Sequence, residues 1–292
     1  MAKAVLGVIG GSGVYDLSLL TEVEELRIES PWGEPSANPI QGFIGGTRVV
    51  FMPRHGAGHR LGPSDINYRA NIDVLKRAGV TDLISISACG SYREELPPGM
   101  FVLVDQFIDR TFARKTSFFG AGCVAHVSFS DPVAPNLVAR LARAAAEEGV
   151  PHVVGGSYVC MEGPQFSTRA ESVAYKAMGA SVVGMTNMPE AKLAREAELP
   201  YATVAMVTDY DAWRPHEVGV GVAEILQVMR ENGDKARRLL ARFASEFPQE
   251  HEACPIGSDR ALDFALVTAP EHRDPDLLKK LDAIAGRVLR PS

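Results

Sequence analysis

The chain has 292 residues, 46% of them apolar and 23% charged, with a formal charge of −6. Length and apolar content suffice for one large buried core or two small ones, and the chain reads as a single domain. The negative balance argues against a binder of nucleic acid, which needs a basic face that releases counterions, so any anion must be held locally.

No uninterrupted apolar run is long enough to cross a bilayer, and the opening run at residues 4–9 leads into glycines instead of a cleavage site, which predicts an unprocessed chain with no membrane span. Cys89, Cys123, Cys160 and Cys254 have neither the close pairing of a zinc site nor the density of a disulfide framework, which fits a reducing cytoplasm.

Apolar runs at residues 4–9, 48–52, 82–87, 101–105, 153–160, 181–185 and 201–208 read as strands. Between them, Ile66, Ala70, Val74 and Ala78 form a helical ladder begun by Pro63-Ser64 and stopped at Gly79. Leu137, Leu141 and Ala145 repeat the pattern, Thr168 and Glu171 form a capping box for a helix closing at Gly179, and Val222, Ile225, Leu226 and Met229 open a longer helix. Such alternation predicts an α/β fold with a mixed, largely parallel sheet flanked by helices on both sides. Residues 1–247 form this domain. Beyond Pro248, prolines punctuate two short helical stretches, 258–267 and 276–289, so residues 248–292 read as a helical appendage packed on the same domain, with the alternative of reaching a neighbouring subunit.

Chemistry concentrates where strands end. Gly10-Gly11-Ser12-Gly13 offers bare N–H groups and the Ser12 hydroxyl to an anion, although a plain tight turn reads equally well. It is no dinucleotide fingerprint, since Asp16 stands where a third glycine is required, and no Gly-Lys-Ser/Thr follows for a P-loop. Arg54-His55-Gly56 places a planar guanidinium fork and an imidazole beyond the next strand, the alternative being a solvated basic loop. Ser87-Ala88-Cys89-Gly90-Ser91 and Thr186 add hydroxyls and small residues at two further strand ends. In Thr208-Asp209-Tyr210-Asp211, two carboxylates two residues apart on an extended segment point the same way. They suit a metal, a helix cap, or an acid of raised pKa; the metal is the weaker reading, because His216 is the only nearby imidazole.

The order of Gly10-Gly11-Ser12-Gly13, Arg54-His55-Gly56, Asn67-Tyr68-Arg69-Ala70-Asn71, Ser87-Ala88-Cys89-Gly90-Ser91, Asp105-Gln106-Phe107-Ile108-Asp109-Arg110-Thr111, Glu162-Gly163-Pro164-Gln165-Phe166-Ser167, Met185-Thr186-Asn187-Met188-Pro189-Glu190 and Thr208-Asp209-Tyr210-Asp211 resembles the methylthioadenosine phosphorylases within the trimeric purine nucleoside phosphorylase family. The resemblance runs from about Val8 to Ser245. It implies that Ser12, Arg54, His55, Ser87, Ala88 and Thr186 bind phosphate, that Phe166 with Ser167 packs on the base, and that Met185 contacts the ribose. Asp209 and Asp211 would face the purine, and Val222, Ile225 and Leu226 would surround the 5' substituent, with His126 entering from an adjacent subunit. Serines at 12 and 87 replace the threonines of many relatives but keep the hydroxyl. A homotrimer is implied, with no cofactor and with inorganic phosphate as co-substrate.

The implied chemistry is phosphorolysis of S-methyl-5'-thioadenosine through an oxocarbenium-like ribosyl group, with Asp209 protonating the departing adenine at N7. Relatives preferring 6-oxopurines carry asparagine at position 209, so aspartate favours adenine. Rival readings are a 6-oxopurine nucleoside or methylthioinosine phosphorylase, a nucleoside hydrolase, and a nucleoside-sensing binding protein on the same fold.

Overall fold

The apolar runs lie together because strands buried on both faces need a parallel sheet with helical cover on each side. In the computed structural model the described residues are 2–11, 17–214 and 222–289, with the side chains at 17 and 222–226 outside that set. Along the chain run β1 (Leu6–Gly10), β2 (Thr21–Glu25), β3 (Ile40–Ile44), β4 (Thr47–Pro53), α1 (Tyr68–Arg77), β5 (Asp82–Ser91), β6 (Phe101–Leu103) and β7 (Gln106–Arg110). Then come α2 (Pro135–Glu147), β8 (His152–Val154), β9 (Ser157–Met161), α3 (Arg169–Ala177), β10 (Val182–Gly184), α4 (Asn187–Glu196) and β11 (Tyr201–Tyr210). The long α5 (Val222–Ser245) and the short α6 (Pro275–Lys280) and α7 (Gly286–Leu289) complete the described chain.

These strands build one mixed, eleven-stranded sheet. Its centre is the parallel series β4–β1–β5–β11, and β9 pairs in parallel with β7 and β10. Antiparallel pairing is confined to β2–β3–β4, β5–β10 and β6–β11. One face packs on α1, α4 and the C-terminal segment through Ile72, Leu75, Leu193, Leu262 and Leu281. The other packs on α2 and α5 through Leu137, Leu141, Leu239 and Phe243. The predicted α/β architecture is the one observed.

Local signals mostly hold. Thr168 Oγ1 accepts from Glu171 N at 3.2 Å, and Glu171 Oε2 accepts from Thr168 N at 2.8 Å, closing the capping box. The ladder from Ile66 becomes α1, but Asn67 starts it by accepting from Ala70 N at 3.2 Å, later than Pro63-Ser64. The run at 153–160 divides into β8 and β9 around Gly155 and Gly156, whose φ values of +90° and +122° break the strand.

The stretch 258–267 departs from its helical reading, forming a single 3-10 turn at Ser258–Arg260. Its backbone is bonded elsewhere: Leu262 N donates to Glu198 Oε1 at 2.9 Å, Val267 N to Val124 O at 2.9 Å, and Ala265 O accepts from His126 N at 2.9 Å. Those partners remove the groups an α-helix would use. The stretch 276–289 becomes α6, capped by Asp274, and α7. His251 ties the same segment to the sheet, with Nδ1 2.9 Å from Asp82 Oδ2.

Candidate functional site

Parallel strands release their chains at one edge of the sheet, where ligands of open α/β folds bind. There lies a cavity of about 280 Å³ walled by the ends of β1, β4, β5 and β11, by the β9 and β10 ends, and by α5.

Arg54 follows β4 directly and is 1% exposed, which removes the reading of a solvated basic loop. Its Nε donates to Glu190 Oε2 at 2.7 Å, Nη1 to Ile86 O at 3.1 Å, and Nη2 to Ser85 Oγ at 2.7 Å. His55 Nδ1 lies 2.9 Å from Leu61 O, so that nitrogen carries the proton and donates to the carbonyl. Burial pushes the ring's pKa down to about 4, against the raising effect of the Leu61 hydrogen bond, with Arg54 lowering it further. Near neutral pH His55 is therefore uncharged and offers an acceptor at Nε2. The ring stacks on His59 at 4.0 Å.

Ser87, Ala88 and Thr186 line the cavity beside Arg54 and His55. Ser87 Oγ donates to Asn187 Oδ1 at 3.2 Å, while the buried Thr186 hydroxyl has no hydrogen-bond partner among the described residues. Gly11 joins the same wall, and Ser12 lies outside the described residues.

Across the cavity stand Asp209 and Asp211. β11 shifts register against β5 between Val207 and Asp209, which sets Asp209 opposite Gly90. A Cβ on Gly90 would lie 3.2 Å from Asp209 Oδ1 and 3.4 Å from the Asp211 Cβ, so the glycine makes room for both carboxylates. Thr208 Oγ1 donates to Asp209 Oδ2 at 2.7 Å. Burial raises the pKa of Asp209, the Thr208 bond opposes that shift, and the neighbouring Asp211 charge adds to it. Asp211 is held through its backbone, donating to Ser91 O at 3.1 Å and accepting from Trp213 N at 2.7 Å. No three His, Cys, Asp or Glu side chains converge among the described residues as a metal would require.

The remaining positions divide. Met185 lines the cavity, and Phe166 sits on its rim, 80% exposed. Ser167 lies off the wall, its hydroxyl donating to Met161 Sδ at 3.5 Å. His126 is exposed and does not line the cavity within one chain. The side chains of Val222, Ile225 and Leu226 lie outside the described set, but their helix contributes Met229, Asn232 and Gly233 to the wall. Sequence reading assigned no site role to those residues, although continuing the 222–225–229 ladder by one turn reaches Asn232. Met161 and His59 carried no separate sequence signal for the site, and Gly90 entered only as one of the small residues ending β5.

Residues 5–245 match the phosphorylase superfamily. An S-methyl-5'-thioadenosine phosphorylase of Bradyrhizobium diazoefficiens is 68% identical over 290 residues, 99% of this chain and 100% of that protein. A crystal structure of a methylthioadenosine phosphorylase from an antarctic soil metagenomic library matches with a TM-score of 0.88 at 44% identity, over 97% of this chain and 99% of that one. A mutant adenosine/methylthioadenosine phosphorylase of Schistosoma mansoni, crystallised with methylthioadenosine, matches with a TM-score of 0.78 at 38% identity, over 83% of this chain and 91% of that one.

Proposed function

The chain belongs to the phosphorylase superfamily, among its methylthioadenosine phosphorylases, and from that membership we propose that it converts S-methyl-5'-thioadenosine and inorganic phosphate to adenine and 5-methylthioribose 1-phosphate. The observation that carries this reading is one cavity lined on one side by Arg54, His55, Ser87, Ala88 and Thr186 and on the other by Asp209 and Asp211. The first group suits a phosphate and the second a purine, and a sugar bridging them has its anomeric carbon between nucleophile and leaving group.

As the N-glycosidic bond lengthens, positive charge grows on the ribosyl group and negative charge on the base. Asp209, whose pKa burial raises, donates to N7 while Asp211 accepts from the 6-amino group. A phosphate oxygen bonds to the anomeric carbon as the bond to N9 breaks, its electron pair staying on the base. Phosphate is a co-substrate here, and no cofactor takes part. Met185 lies against the ribose and Phe166 against the base. A homotrimer brings His126 of an adjacent subunit to the 5'-thiomethyl group. Four cysteines that are all buried and free suit a cytoplasmic enzyme.

Direct competition between methylthioadenosine and methylthioinosine tests the base assignment. We expect kcat/KM for the 6-amino substrate to exceed that of the 6-oxo substrate by about 100-fold or more, because an oxo group leaves a buried carboxylate facing an acceptor. Equal use of the two, or preference for methylthioinosine, contradicts the roles given to Asp209 and Asp211.

A further inference from the structure

Behind the Arg54 wall runs a buried polar chain that does not itself line the cavity. Glu190, 1% exposed, accepts from Arg54 Nε at 2.7 Å and from Nη2 at 3.2 Å. The Tyr201 hydroxyl donates to Glu190 Oε1 at 3.0 Å and accepts from Asn187 Nδ2 at 2.6 Å. Asn187 Nδ2 also donates to Thr203 Oγ1 at 2.8 Å, which turns its Oδ1 toward Ser87, whose hydroxyl donates to it at 3.2 Å. Asn187 and Glu190 both belong to α4, so one element reaches two cavity residues that come from β5 and the end of β4.

We infer that Glu190 is the positioning residue of the phosphate subsite, fixing the Arg54 guanidinium directly and the Ser87 hydroxyl through Tyr201 and Asn187. The inference rests on the phosphorylase reading above. A buried Arg–Glu pair is a poor device for stability, since apolar side chains of equal volume serve as well. What the two-pronged contact supplies is orientation, because the planar guanidinium cannot rotate while both Nε and Nη2 are engaged. Orientation matters most beside a nucleophile that must lie in line with a breaking bond. A role limited to offsetting Arg54's charge predicts the opposite sign: removing the Glu190 charge would then tighten phosphate binding.

The test uses the full chain with inorganic phosphate and methylthioadenosine as varied substrates, in Glu190→Gln, Glu190→Asp and Tyr201→Phe. Glu190→Gln is expected to raise the KM for phosphate about tenfold or more while the nucleoside KM stays within about twofold. Glu190→Asp recovers part of that loss, and Tyr201→Phe moves the phosphate KM the same way by a smaller factor. If Glu190→Gln does not fold, Tyr201→Phe decides alone. A phosphate KM that is unchanged or lower, or an equal rise in both KM values, overturns the inference while leaving the phosphorylase reading intact. Turnover by the unaltered enzyme that ignores phosphate overturns that reading and the inference with it.

Discussion

Asp209→Asn lowers the turnover of methylthioadenosine by about 100- to 10,000-fold, the usual contribution of a positioned general acid. The amide retains the size of the carboxyl group and can still donate a hydrogen bond to N7, but it has no proton to transfer, so binding survives better than catalysis. The pH profile gives a second reading of the same residue. Burial and the Asp211 charge raise the Asp209 pKa, so its acid form persists to higher pH than that of an exposed aspartate. Turnover that depends on this acid is full below the raised pKa and falls as pH climbs through it, and the falling limb disappears in the asparagine variant. Steady-state rates across pH, with nucleoside affinity measured separately, check both points. An unchanged kcat removes Asp209 from the mechanism.

Arg54→Met is expected to act on stability as well as on phosphate use. It strips the cation from Glu190 at 1% exposure, and an uncompensated buried charge costs about 3 to 5 kcal/mol. The Tyr201 hydroxyl still donates to Glu190 Oε1, which offsets a fraction of that cost. Adding Glu190→Gln to Arg54→Met removes the stranded charge and restores much of the stability without restoring phosphate affinity. Urea unfolding of the single and double variants separates the two effects. A single variant as stable as the parent would mean that Glu190 is neutralised by some other route.

Strand ends were the most legible part of the site. A run such as Leu83–Ile84–Ser85–Ile86 can only be buried between helical layers, and its end in a parallel sheet is where ligands meet the chain. Spacing alone brought Asp209 and Asp211 together, since alternate residues of an extended chain share a face. The shift that seats them against Gly90 is invisible locally, because it depends on the pairing of β11 with β5. β2 escaped notice for a different reason: all its residues are exposed, so no apolar pattern marks it. The C-terminal stretch misled because local helical spacing was outcompeted by Glu198, more than 60 positions away. The resemblance stopped near Ser245, whereas the Bradyrhizobium relative is similar across 99% of the chain, tail included. Arg54 with Glu190 shows the same limit, since each residue stood in a quoted motif and only folding over 136 positions paired them.

Adenine release from methylthioadenosine, followed with and without inorganic phosphate and with phosphorus NMR of the products, tests the central claim most directly. Release that requires phosphate, with one sugar 1-phosphate formed per adenine, is the predicted result. Release at the same rate without phosphate, yielding free methylthioribose, would contradict it.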